Sequence, residues 1–140
     1  MSEPTERIAG VRRWAEKAEH DLLAAEHDMQ LAERGLTDVV CFHCQQCAEK
    51  YLKALLILHG VHFPKTHDLR LLMELIPDQV GFRLTKPEVV PLNRYAIEGR
   101  YPGEWEPIGV EEARMAITMA RGIRDEARRL LPAEAYKDEG

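Results

Sequence analysis

The chain has 140 residues, of which 45% are hydrophobic, and a formal net charge of −5. That is the size of one ordinary domain with enough apolar mass for a core, so a disordered chain is excluded, and its acidity supplies no domain-wide basic field for nucleic acid. No apolar run approaches the roughly 20 residues of a membrane span, and the N-terminus lacks the basic-then-apolar pattern of a signal peptide, so a soluble, cytoplasmic protein is expected.

The first predicted helix runs from about Thr5 to Arg34. Val11, Ala15, Ala18, Leu22, Ala25, Met29 and Ala32 alternate spacings of four and three, and Leu36 continues the series. This is an amphipathic stripe rich in alanine, which lets a neighbouring helix come close. Gly35 is a natural stop. The second helix runs from about Asp38 to His59, with Thr37 or Asp38 available as N-cap and Gly60 after the last turn. So short a connection makes the two helices antiparallel neighbours.

"GVHFPKTHDL" is a loop, because Pro64 cannot sit inside a helix. Thr66 or His67 then caps a short helix, "DLRLLMELI", which Pro77 ends. Thr85 and Glu88 form a capping box for a fourth helix reaching about Gly99, with Pro91 near its start. "RYPGEWEPIG" reads as a rigid loop. The last helix spans about Val110 to Leu131, with Ala113, Ala116, Ile117, Ala120, Ile123, Ala127 and Leu130 on one face. The expected fold is all-α: an antiparallel up-and-down bundle of four long helices plus one short helix. It is a single domain over 1–140, with a core of about 5–132 and a loose tail at 133–140.

The second helix carries the most chemistry. Cys41, Cys44, Ala48, Tyr51, Leu52, Leu55 and Leu58 share one side, with Val40, Cys47 and Ala54 beside them. Cys-x2-Cys-x2-Cys resembles the start of an iron–sulfur run, but Tyr51 and Leu52 stand where that run needs cysteine and proline. His43 points away from the thiols, and no fourth cysteine exists to complete a zinc site. The cysteines are read as core residues; no metal and no cofactor is expected. On the opposite side, His43, Gln46, Lys50 and Lys53 form a polar stripe bordered by Val39, Phe42 and Ile57. It is either a solvated face with stray apolar residues or a second contact surface for a subunit or ligand.

Downstream, Arg94, Tyr95, Arg100, Tyr101 and Trp105 mix guanidinium groups with rings. Such clusters bind phosphate and stack bases, and they also simply pack a loop on a bundle. His67 and Asp68 serve as helix capping or as a functional pair.

Phe42, Gln46, Glu49, Lys50, Lys53, Gly60, Pro64, Thr66, His67, Asp68 and Leu69 together resemble the signature of HEPN-domain proteins. "NRYAIEGRYPG" resembles the Tyr-x(n)-Arg-Tyr-Pro segment of the same family, and the likeness covers about positions 10 to 130. The resemblance implies a helical bundle that pairs into a homodimer and works with a separately encoded minimal nucleotidyltransferase. It also implies one of two activities: nucleotide or non-catalytic partner binding, or metal-independent RNA cleavage by an Arg-x(4–6)-His motif in a toxin–antitoxin pair. In such cleavage Arg stabilises phosphate charge and His moves a proton. Neither Arg94 nor Arg100 is followed by histidine at that spacing. Arg13 and His20 match the spacing, but on the first helix.

The expected function is therefore nucleotide or partner binding, with His43, Gln46, Lys50, Lys53, Arg94, Tyr95, Arg100 and Tyr101 as ligand-binding residues. An RNA-cleaving toxin using His43, His67 and Arg94, or a purely structural subunit, are the alternatives.

Overall fold

The computed structural model describes residues 2–96 and 107–137. All regular structure among them is helical: α1 (Ser2–Asp28), α2 (Thr37–Leu58), α3 (Leu69–Leu75), α4 (Lys86–Val89) and α5 (Val110–Leu130). Short 3-10 turns follow α1, α3, α4 and α5.

The alanine-rich stripe of α1 is the seam of the bundle. Val11, Ala15, Ala18, Leu22 and Ala25 are all buried. Their small side chains let α1 lie close along α2, where Gly10 sits so near Ile57 that a Cβ there would be 3.5 Å from Ile57 Cγ2. The pairing is antiparallel: Gly10 meets Ile57, while Asp21 meets His43. The same sense relates α1 to α5, through Glu19 with Arg128 and Glu26 with Arg121. Helices α2 and α5 run parallel from a shared start, where the Thr37 hydroxyl donates to the Ile108 carbonyl at 2.8 Å. Thr37 is thus the first residue of α2 rather than its N-cap. The segment between α2 and α5, carrying α3 and α4, brings the chain back so that α5 can run that way.

α1 gives way to a 3-10 turn at Met29–Arg34, and Gly35 closes it with φ 94°, a left-handed conformation open to glycine. The cap of α3 is Asp68, whose carboxylate accepts from the Arg70 N–H at 3.0 Å. Thr66 stands two residues back, and its hydroxyl oxygen accepts from the Asp68 N–H. The Thr85–Glu88 box is present, with the Thr85 N–H on Glu88 Oε1 at 2.9 Å. Those bonds from Thr85 hold the Glu88 carboxyl below its ordinary range.

The fourth helix is shorter than its sequence suggests. Its α-helical part ends at Val89, and a 3-10 turn over Val90–Tyr95 continues it. Pro91 supplies no N–H, so the i→i−4 ladder stops there. Val89, Leu92 and Tyr95 are buried at spacings of three, which is the 3-10 period.

The three cysteines are buried and unpaired in the core on α2. Burial raises all three thiols, Cys41 to about 11, which leaves them protonated and inert near neutral pH. Residues 133–137, expected to be loose, are folded: Ala133–Ala135 make a 3-10 turn, Ala135 is buried and Tyr136 packs against the core.

One charged strap holds the α3–α4 connection to α5. Glu126 accepts from the Arg83 N–H and forms a forked pair with Arg129 at 2.9 Å. Arg129 also donates to the Gly81 carbonyl at 2.8 Å. These hydrogen bonds, Arg129 first, lower the Glu126 carboxyl despite its burial. A depressed carboxyl stabilises the fold above its unfolded value and loses that contribution as pH falls through its folded value. Glu126→Gln is expected to cost about 1–3 kcal/mol at neutral pH. Urea melts at a series of pH values should show the wild-type advantage shrinking through the acid range; a constant difference would mean that the charge is not what matters.

Candidate functional site

Three carboxylates organise the residues singled out in the sequence. The first is Asp21 on α1. Its Oδ1 lies 2.8 Å from His43 Nδ1 and its Oδ2 accepts from Lys50 Nζ at 2.6 Å. His43 and Lys50 are seven residues apart, so two turns of α2 bring both to one side, and the antiparallel α1 places Asp21 between them. This pairing fixes the register of the two helices across the polar stripe.

The second is Glu49, on α2 and 3% exposed. Its Oε2 accepts from Lys53 Nζ at 2.9 Å and its Oε1 lies 2.8 Å from His67 Nδ1. Gln45, fully buried one turn earlier, donates to the His67 carbonyl at 3.0 Å and accepts from Gln46 Nε2 at 2.7 Å. Lys53 therefore leaves the stripe. It is only 5% exposed, and its ammonium lies 5.3 Å from the Trp14 ring and 5.7 Å from Phe63. Trp14 and Phe63 meet edge to face, so the cation is held between a carboxylate and two rings.

The third is Glu112, in the first turn of α5. Its Oε2 accepts from Arg94 Nη1 at 2.7 Å and from the Tyr95 hydroxyl. Burial, and then the bond to Glu112, raise the Tyr95 phenol. Arg94 is the more exposed member, with 39% of its side chain accessible.

The candidates thus form three groups: His43 with Lys50, Lys53 with His67, and Arg94 with Tyr95. Gln46 joins the second through Gln45. Arg100, Tyr101 and Trp105 lie outside the described residues. His67 and Asp68 do not cap together; Asp68 caps α3 and His67 turns to Glu49. Asn93 links this corner to the Arg94 turn, accepting from the Leu69 N–H at 2.8 Å and donating to Asp68 at 2.9 Å. His67, Asp68 and Asn93 line an open cleft of 390 Å³ with Lys65, Thr66 and Ala96.

Sequence reasoning gave no role to Asp21, Gln45 or Glu112, and named Glu49 only as part of the family signature. A signal existed for two of them: Gln45, Glu49 and Lys53 follow one another at i, i+4 and i+8, a ladder on one helix face. Asp21 and Glu112 carried no such signal, because their partners lie on other elements.

Apart from Asp38 and Leu58 in its end turns, what remains partly exposed on α2 is a narrow strip: Val39, Phe42, His43, Gln46, Lys50 and Ile57. It has hydrogen-bonding heads in the middle and apolar residues at both ends.

Removing one partner from a buried ion pair strands the other. Glu49→Ala is expected to cost about 3–5 kcal/mol, and a Glu49→Met, Lys53→Met double variant to cost less than the single change. Chemical denaturation of the three proteins checks this; a double variant as unstable as Glu49→Ala would show that the pair itself is a net source of stability.

The comparisons with known proteins agree with this architecture. The family model for the HEPN domain matches residues 11–130. The crystal structure of TT1696 from Thermus thermophilus superposes with a TM-score of 0.72 at 28% identity, over 86% of this chain and 98% of that one. The crystal structure of ST0689, an archaeal HEPN homologue, gives 0.64 at 26% identity, over 85% and 95%. No curated protein matches the chain. With the family model spanning nearly its whole length and two solved structures sharing its fold, the chain belongs to the HEPN domain family.

Proposed function

We propose that the protein is a partner-binding HEPN module whose α2 strip seats a second polypeptide, first a second copy of this chain and then a separately encoded minimal nucleotidyltransferase, in a cytoplasmic setting. One observation carries the reading. α2 is buried along most of its circumference, and its part-exposed line joins Phe42 and Ile57 to polar groups already fixed by their own chain. Pre-ordered polar heads among apolar residues suit a protein interface, because little side-chain freedom is lost on binding.

Nucleotide binding at the same residues fits less well. Lys50, Lys53 and Arg94 each already meet a carboxylate, so a phosphate would have to displace Asp21, Glu49 or Glu112. RNA cleavage keeps one observation in its favour: Asp21 holds His43 through Nδ1, an arrangement that orients an imidazole for proton transfer.

By light scattering after size exclusion, the wild type is expected to be a dimer. Phe42→Asp should be a monomer with unchanged helical circular dichroism. A wild-type monomer that also fails to co-purify with a co-expressed minimal nucleotidyltransferase would end the partner reading. RNA cleavage that survives EDTA and disappears in His43→Ala would put the nuclease in its place.

A further inference from the structure

A second cleft, sharing no residue with the α2 strip, opens between α1, the end of α5 and the terminal 3-10 turn. Its volume is 380 Å³, and Glu19, Leu23, Tyr51, Arg128, Tyr136 and Lys137 are among its lining residues. Arg128 shares the cleft with Arg12 and Lys137 on the cationic side and with Glu16 and Glu19 on the acidic side. Glu19 Oε1 takes the Tyr51 hydroxyl at 3.0 Å and Arg128 Nη2 at 3.2 Å, so one carboxylate oxygen serves two donors. The guanidinium carbon stands 5.2 Å from the Tyr136 ring. The Arg128 Nε–H is buried and has no acceptor among the described residues. A third of the side chain stays accessible.

An arginine aimed by a carboxylate, backed by a ring and short of acceptors is built to take an oxyanion through its planar fork. Lys137 adds an exposed cation, and Leu23, 54% exposed, adds an apolar wall. The volume falls in the small-molecule range and exceeds what bare phosphate fills. We propose that this cleft is a binding site for a small phosphate monoester, its phosphoryl oxygens on Arg128 and Lys137 and its organic body against Leu23. The Tyr136 ring beside the guanidinium comes from the residue that caps the short terminal turn rather than from a long helix.

The site can be tested on the full chain by following the Arg128 Nε–H resonance, identified by its absence from Arg128→Lys, during titrations with phenyl phosphate, inorganic phosphate and chloride at matched ionic strength. Phenyl phosphate should move the signal saturably at millimolar concentration, inorganic phosphate more weakly, and chloride not at all. Lys137→Glu, an exposed change that leaves the core intact, should weaken phenyl phosphate binding by about three-fold or more. Equal responses to phenyl and inorganic phosphate would overturn the monoester assignment. A response matched by chloride, no response to either phosphate, or undiminished binding by Lys137→Glu would overturn the site.

Discussion

A buried carboxylate at the centre of α2 sets the arrangement of the rest. Glu49 is almost without solvent, and an isolated charge there would be very costly. It is offset from three directions: Lys53 one turn ahead, Gln45 one turn behind, and His67 from the loop that follows the helix. The last of these has the longest reach. Pinning His67 fixes where the chain re-enters the fold after Pro64, and Asp68 then caps α3. Asn93 fastens that corner to the 3-10 turn, and the next residues, Arg94 and Tyr95, grip Glu112 on α5. One charge on the central helix is thus connected, bond by bond, to the start of the last helix.

Small residues make these connections possible. Ala15, Ala18 and Ala25 on α1, and Cys44, Cys47 and Ala48 on α2, are all small and all buried. Larger side chains would separate the helices and carry Asp21 out of reach of His43 and Lys50. The cysteines serve here as compact apolar residues with protonated thiols, since burial disfavours the thiolate. Helix packing and polar pairing are therefore one constraint: the seam must be narrow for the carboxylates to bridge it.

The difference between what the sequence discloses and what it withholds follows from the same point. The four-and-three rhythm of α1 and α5 marks their inner faces, because helical period is a local property; Ala113, Ala116, Ala120 and Ala127 are buried as that rhythm requires. The capping box at Thr85 was legible for the same reason. The short fourth helix was less so, although the spacing of Val89, Leu92 and Tyr95 by threes states the 3-10 period once Pro91 is taken seriously. The polar stripe on α2 was legible as a stripe but not as a set of pairs. Lys53 shares a helical face with Lys50, yet it is drawn under Trp14 and Phe63, which come from α1 and the loop. Which acid meets Lys50 depends on the register of α1 against α2, a tertiary quantity that no periodicity encodes. Tyr136 illustrates the same limit at the C-terminus, where a polar-looking tail is held by one buried alanine and one ring on an arginine.

Counting charges locally changes what the cationic residues can be expected to do. Lys50, Lys53 and Arg94 look like phosphate ligands when their own acids are out of view. Each instead completes an intramolecular pair, and a phosphate must compete with a carboxylate that pays no translational entropy to be there. The stripe's positive residues thus act inward, fixing helix register and loop path, while what it offers outward is shape, apolar ends and oriented polar heads. That is the character the proposed partner surface calls for. Arg128 also meets a carboxylate, Glu19, but differs because its buried Nε–H has no acceptor among the described residues, so the guanidinium is held in place but not saturated. On a chain with net charge −5, an arginine in that condition beside an open cleft is a better place to look for an anion than three lysines and arginines that have already found theirs.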